Sequence, residues 1–124
     1  MEDTIDRPVS LFWELSVTER RTLLFLRRVA RVCRKPAIFW DDDINPAIGQ
    51  VIDRHVRQRA MYQAGTIDFD PDDDPPLVVT IDGQVEFMEA LASLRDKGWI
   101  WEKIVHDSDG MNMMYKPRDR PLAP

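Results

Sequence analysis

The segment LSVTERRTLLFLRRVARVCRK, residues 15–35, limits what this chain can fold into more than any other stretch. Ser16 and Glu19 make an S-x-x-E capping box, in which each side chain accepts from the other residue's backbone N–H. A helix is predicted to start just after Ser16. Pro36 disfavours helical backbone in the residue before it, so the helix should stop near Cys33 or Arg34. Wound at 100° per residue, Phe25, Leu26, Val29, Ala30, Val32 and Cys33, with Leu23, cover one side; Arg20, Arg21, Arg27, Arg28, Arg31, Arg34 and Lys35 occupy an opposing arc of roughly 140°, broken only by Leu24. The apolar side requires a partner surface within the fold. The arginine side does not.

That basic face stands out against the total charge. The 124 residues carry net −5, yet residues 16–35 hold seven basic side chains and one acid, net +6, so the remainder sums to −11. An acidic total argues against bulk affinity for nucleic acid, but the asymmetry marks a surface suited to phosphates or to an acidic protein. A chain of this length with 44% hydrophobic residues builds one core. Its single cysteine, Cys33, excludes an intramolecular disulfide and a cysteine zinc cluster. No apolar run approaches the ~18–20 residues that span a bilayer. The opening MEDTIDRPVS is acidic and polar, unlike a secretory signal, and a cytoplasmic location is expected.

Residues 1–9 read as a flexible lead-in and 118–124 as a loose, proline-rich tail, leaving 10–117 as the domain. After the short apolar piece and acidic turn of AIFWDDDINP, Asn45 is expected to cap a second helix with Pro46 in its first turn and Gly65 past its end. Ile48, Val51, Ile52, Val56 and Tyr62 share a face of it. TIDFDPDDDPP, residues 66–76, is an acidic linker, and Leu77–Ile81 reads as a short β-branched strand. Asp82 is expected to cap a third helix running to Lys97 and Gly98, with Val85, Phe87, Met88, Leu91, Ala92 and Leu94 as its apolar face. Trp99–His106 and Met111–Lys116 then form a hairpin around DSDG. The fold class is α+β: three main helices and a small antiparallel sheet ending in a β-hairpin.

The run FMEALASLRDKGWIWEKIVHDSDGMNMMYKP resembles the end of a winged-helix domain, in which a helix closes on a basic–Gly pair and opens into a two-stranded wing. Leu91, Leu94, Lys97, Gly98, Trp99 and Ile100 carry that cadence, with Asp107–Gly110 as the wing tip, and LSVTERRTLLFL resembles the opening helix of such domains. The resemblance implies a winged-helix fold and, since such domains bind DNA or proteins, a regulatory or accessory role.

Two functions from different classes follow, the preferred one a small non-enzymatic regulator that binds nucleic acid or a nucleic-acid-associated complex. In the first, the arginines of helix one contact nucleic-acid phosphates, assisted by Lys103, Lys116 and Arg118. In the second, the domain is a protein-interaction module, an adaptor, inhibitor or antitoxin-like factor. It would use either Asp41–Asp43 and Asp68–Asp74 against a basic partner, or an aromatic hairpin face with Trp99 and Trp101 on one side and Met111 and Met113 across from them. That patch also suits a homodimer. The acidic polar side of helix three, with Glu86, Glu89 and Asp96, favours the second. The bland alternative is an arginine face neutralised by the linker of the same molecule. Asp68, Asp70, Asp72 and Asp74 alternate like calcium ligands, but Asp73 stands where such a loop needs Gly and Val79 where it needs Glu, so a solvated linker is the better reading. His55 reads as a hydrogen-bonded core residue, Cys33 as a small core residue, and His106 with Asp107 and Asp109 as too sparse for a metal site. No catalytic constellation, cofactor or metal is expected.

Overall fold

The computed structural model describes residues 11–108 and 110–119, apart from the side chain of residue 107. The expected lead-in at 1–9, most of the tail and part of the hairpin turn lie outside the described residues. After a 3-10 turn, Phe12–Glu14, come α1 (Val17–Cys33), β1 (Ile38–Phe39), a π-helical turn (Trp40–Ile44) and α2 (Asn45–Gln63). A 3-10 turn at Leu77–Val79 leads to α3 (Ile81–Asp96), β2 (Ile100–Asp107) and β3 (Gly110–Pro117). The three strands form one antiparallel sheet in the order β1-β3-β2, which makes the fold α+β.

α1 begins and ends where its sequence signals lie. Ser16 Oγ accepts from Glu19 N, and Glu19 Oε1 accepts from Ser16 N at 2.8 Å. At the other end Arg34 takes up a left-handed conformation, φ 56° and ψ 45°, while Lys35 N–H donates back to Ala30 O. The buried side of the helix is Leu23, Leu26 and Val29, joined by Glu19 and Thr22, whereas Val32 and Leu24 are exposed. Leu91 and Leu94 of α3, Trp99, Ile100, Ile38 and Tyr115 complete the core. Each fully buried leucine contributes about 2 kcal/mol of transfer free energy.

α3 turns into the sheet through a Schellman motif. Gly98 N–H donates to Arg95 O and Trp99 N–H to Leu94 O, with Gly98 at φ 81°, where a side chain would be strained. Trp99 is thereby driven into the core, and Trp101 is left at the surface.

Several expected details are corrected. Leu77–Val79 is not a strand: the sheet's third member is Ile38–Phe39, paired with Met114 and Tyr115, and β-branched residues form strands only where a ladder partner is within reach. Helix three is capped by Thr80, whose Oγ1 accepts from Gly83 N, rather than by Asp82. Asn45 is already helical, because the π turn feeds α2 directly and Asp43 accepts from Phe39 N at its start. Trp99 and Trp101 do not share a face with Met111 and Met113. Trp99 precedes the ladder, Trp101 opposes Lys116, and the methionines oppose His106 and Ile104 on the other face.

Candidate interaction surfaces

The arginine face of α1 divides into tied and untied side chains. Arg20 donates to Leu15 O at 2.6 Å and lies over the Trp13 ring. Arg21 donates to Pro75 O, and Arg27 donates through Nε and Nη2 to Arg118 O while lying near the Phe12 and Trp99 rings. Lys35 holds the buried carboxylate of Asp43 at 3.0 Å. These four serve the fold: they pin the segments before and after the helix to its surface. Arg28, Arg31 and Arg34 are exposed, and no described residue supplies them with a carboxylate.

The acidic linker does not neutralise this face. Its Asp72 bonds instead to His55 Nε2 at 2.8 Å and to Arg59 Nε at 3.2 Å, both on α2. His55 is buried and hydrogen-bonded, as its place on the apolar side of α2 suggests. Arg54 of α2 lies across a groove of about 330 Å³ from Arg28; Phe25, Val29, Val32 and Val51 supply the apolar lining. Arg57 is a further exposed cation of α2. Neither Arg54 nor Arg57 belongs to the basic segment, and only the groove between α1 and α2 brings Arg54 near it.

α3 carries a second surface. Its core side is Phe87, Ala90, Leu91 and Leu94. Ile81, Val85, Met88 and Ala92 fall within roughly 60° of one another on another side of the helix. Ile81 is 80% exposed, Val85 53% and Met88 48%. Val85 and Met88 were expected in the core. The helix has two apolar stripes, and the packing of α1 and the sheet uses only one of them. Asp82, Glu86, Glu89 and Asp96 are exposed along one flank of the outer stripe. Along the other flank Arg95 Nη1 bonds Glu102 Oε2 at 2.9 Å and holds β2 alongside. Beyond Glu102, toward the hairpin tip, the same sheet face carries exposed Ile104 and Met111. The signal that could have revealed this surface is the spread of α3's apolar residues over more of the helix than one contact can cover.

Lys103 and Lys116 are exposed on the opposite sheet face, where Trp101 pairs directly with Lys116 and lies two residues before Lys103. Trp99 offers no surface, and Met113 is partly buried against the core. Asp43 is buried, leaving Asp41 and Asp42 as the exposed acids of their turn.

The most perturbed carboxylate is structural. Burial pushes the Glu19 carboxyl up, but hydrogen bonds from Lys97, Ser93 and the Ser16 N–H, with the charge of Lys97, outweigh it and hold the group at about 2. The Cys33 thiol is pushed up by burial and by the Asp43 charge, the reverse of what activates a nucleophile. Among the described residues, no three His, Cys, Asp or Glu side chains are grouped to hold a metal ion. No helix among them is long and apolar enough to cross a membrane.

The molecule is thus an α+β domain with one basic helix ridge and one apolar-acidic helix ridge. Comparison with family models, with curated proteins and with solved structures finds no match to this chain.

Proposed function

We propose that this chain is a winged-helix-like protein-interaction domain that engages its partner through α3 and the adjoining hairpin face. One observation carries the reading: the outward side of α3 is an apolar stripe flanked by acids, Ile81, Val85 and Met88 beside Asp82, Glu86 and Glu89. Acids repel phosphate, and exposed aliphatic side chains at one-turn spacing are what a protein surface buries on contact. The winged-helix part is supported by the element order, helix, short strand, two helices and hairpin, and by β1 edging β3. The role is non-catalytic, and a reducing cytoplasm suits the lone thiol.

The test places a photo-crosslinking amino acid at Val85 in the producing cell. Discrete adducts with polypeptide are expected, and Met88→Asp should remove them. A second reading, nucleic-acid binding by Arg28, Arg31 and Arg54, is favoured by Arg54 of α2, which shares a groove with Arg28 and adds to the basic face. It would displace the first if folded protein shifted generic duplex or single-stranded nucleic acid at low salt. That shift would have to survive Met88→Asp and vanish with Arg28→Glu/Arg31→Glu.

A further inference from the structure

The two exposed ridges complement each other. On α1, Val17, Arg21, Leu24, Arg28 and Arg31 recur at one-turn spacing and fall within roughly 80° of arc. Val17 is 61% exposed and Leu24 51%, so the ridge alternates apolar and cationic side chains. On α3 the matching ridge is Ile81, Val85, Met88 and Ala92, with Asp82, Glu86 and Glu89 along its flank. Each has aliphatic knobs three and four residues apart, and the charges are opposite. Two α3 ridges brought together would set acid against acid, and two α1 ridges would set arginine against arginine. An α1 ridge against an α3 ridge satisfies both.

Within one molecule this contact is impossible. α1 and α3 already pack on each other through Glu19, Ser93 and Lys97 and through Phe25 against Phe87, so their outer ridges face away from one another. Among the described residues Arg28 and Arg31 of α1 and Glu86 and Glu89 of α3 make no ion pair; Glu86 and Glu89 border the α1–α3 groove that Lys97 also lines, but Lys97 is taken by Glu19.

We infer that the occupant of the α3 ridge is the α1 ridge of a second copy of this chain. This rests on the interaction reading above and names its partner. The contact is heterologous: each copy added leaves one ridge of each kind unfilled at the ends, so assembly continues past a dimer or closes into a ring. It also gives a counter-charge to Arg28 and Arg31, the arginines of the basic segment that lie on this ridge and are not tied within the molecule.

The test is sedimentation velocity on the purified full chain at increasing protein concentration, in low and in high salt. Wild type should grow in mass with concentration at low salt and dissociate at high salt, since the charges are solvent-exposed. Arg28→Glu/Arg31→Glu and Glu86→Arg/Glu89→Arg should each remain monomeric, raising the association midpoint by about tenfold or more. Mixed together, the two variants should associate again, because each supplies the ridge the other has lost. Circular dichroism of each variant checks that it is folded. A wild type that stays monomeric throughout, or a mixture that does not recover, overturns the inference. If Val85 then crosslinks only to other polypeptides, the interaction reading stands without it; if Val85 crosslinks to none, both fall.

Discussion

At the scale of single residues, the basic side chains of the arginine-rich segment take three different roles. Arg20, Arg21, Arg27 and Lys35 find acceptors inside the molecule, Arg28 and Arg31 reach outward, and Arg34 is where the backbone turns left-handed to end α1. The last is the simplest to test. A left-handed conformation costs a residue with a Cβ about 1 kcal/mol, and glycine is free of that penalty. Arg34→Gly should therefore raise the urea midpoint by an amount equivalent to about 1 kcal/mol, although it deletes a charge. An unchanged or lowered midpoint would mean that the Arg34 side chain contributes more to the fold than its exposure suggests.

Among the elements, the junction before α3 is the tightest. Thr80 caps the helix, Gln84 Nε2 donates to Val78 O, and the Leu77 carbonyl rests where a side chain at Gly83 would begin. A Cβ built on Gly83 would lie 1.7 Å from Leu77 O, a backbone atom that cannot swing aside. Gly83→Ala should thus destabilise by about 2–3 kcal/mol, more than the ~1 kcal/mol that alanine's helix propensity restores. Urea unfolding measures it, and a variant as stable as wild type would show that the Leu77–Val79 turn does not seat on α3. The same junction explains why LVVTI misleads. Its β-branched residues favour extended chain, but its carbonyls are taken by α3 and Ile38–Phe39 already pairs with β3.

Across the whole molecule, charge is used twice, inside to join elements and outside to present surfaces. Glu19 joins α1 to α3 through Ser93 and Lys97, and Asp43 joins the π turn to Lys35 and to the backbone of Phe39. Both carboxyls titrate lower in the folded protein than in the unfolded chain, Glu19 at about 2 against 4.5 and Asp43 below 3.8. Their contribution is therefore present above about pH 4.5 and is lost as pH falls through that value toward 2, with Glu19 alone worth about 3 kcal/mol. Thermal melts should show wild type exceeding Glu19→Gln at neutral pH and converging with it in that acid window; a constant gap would mean that the carboxylate is not held by these partners. By itself the sequence determined what local forces control. The capping box and Pro36 set the ends of α1, Gly98 set the turn out of α3, and the alternation around DSDG set the hairpin, because each signal acts within a few residues of its effect. It also located the charge asymmetry. Tertiary structure alone decided which arginines remained outside, which of α3's two apolar stripes was buried, and that Asp72 docks on His55 and Arg59 rather than on α1. A helix with apolar residues on two sides can bury either, and an arginine bonds whichever carbonyl the packed chain brings near. Those outcomes depend on contacts beyond the reach of local signals, such as Asp72 with His55, Arg27 with Arg118 and Glu19 with Lys97.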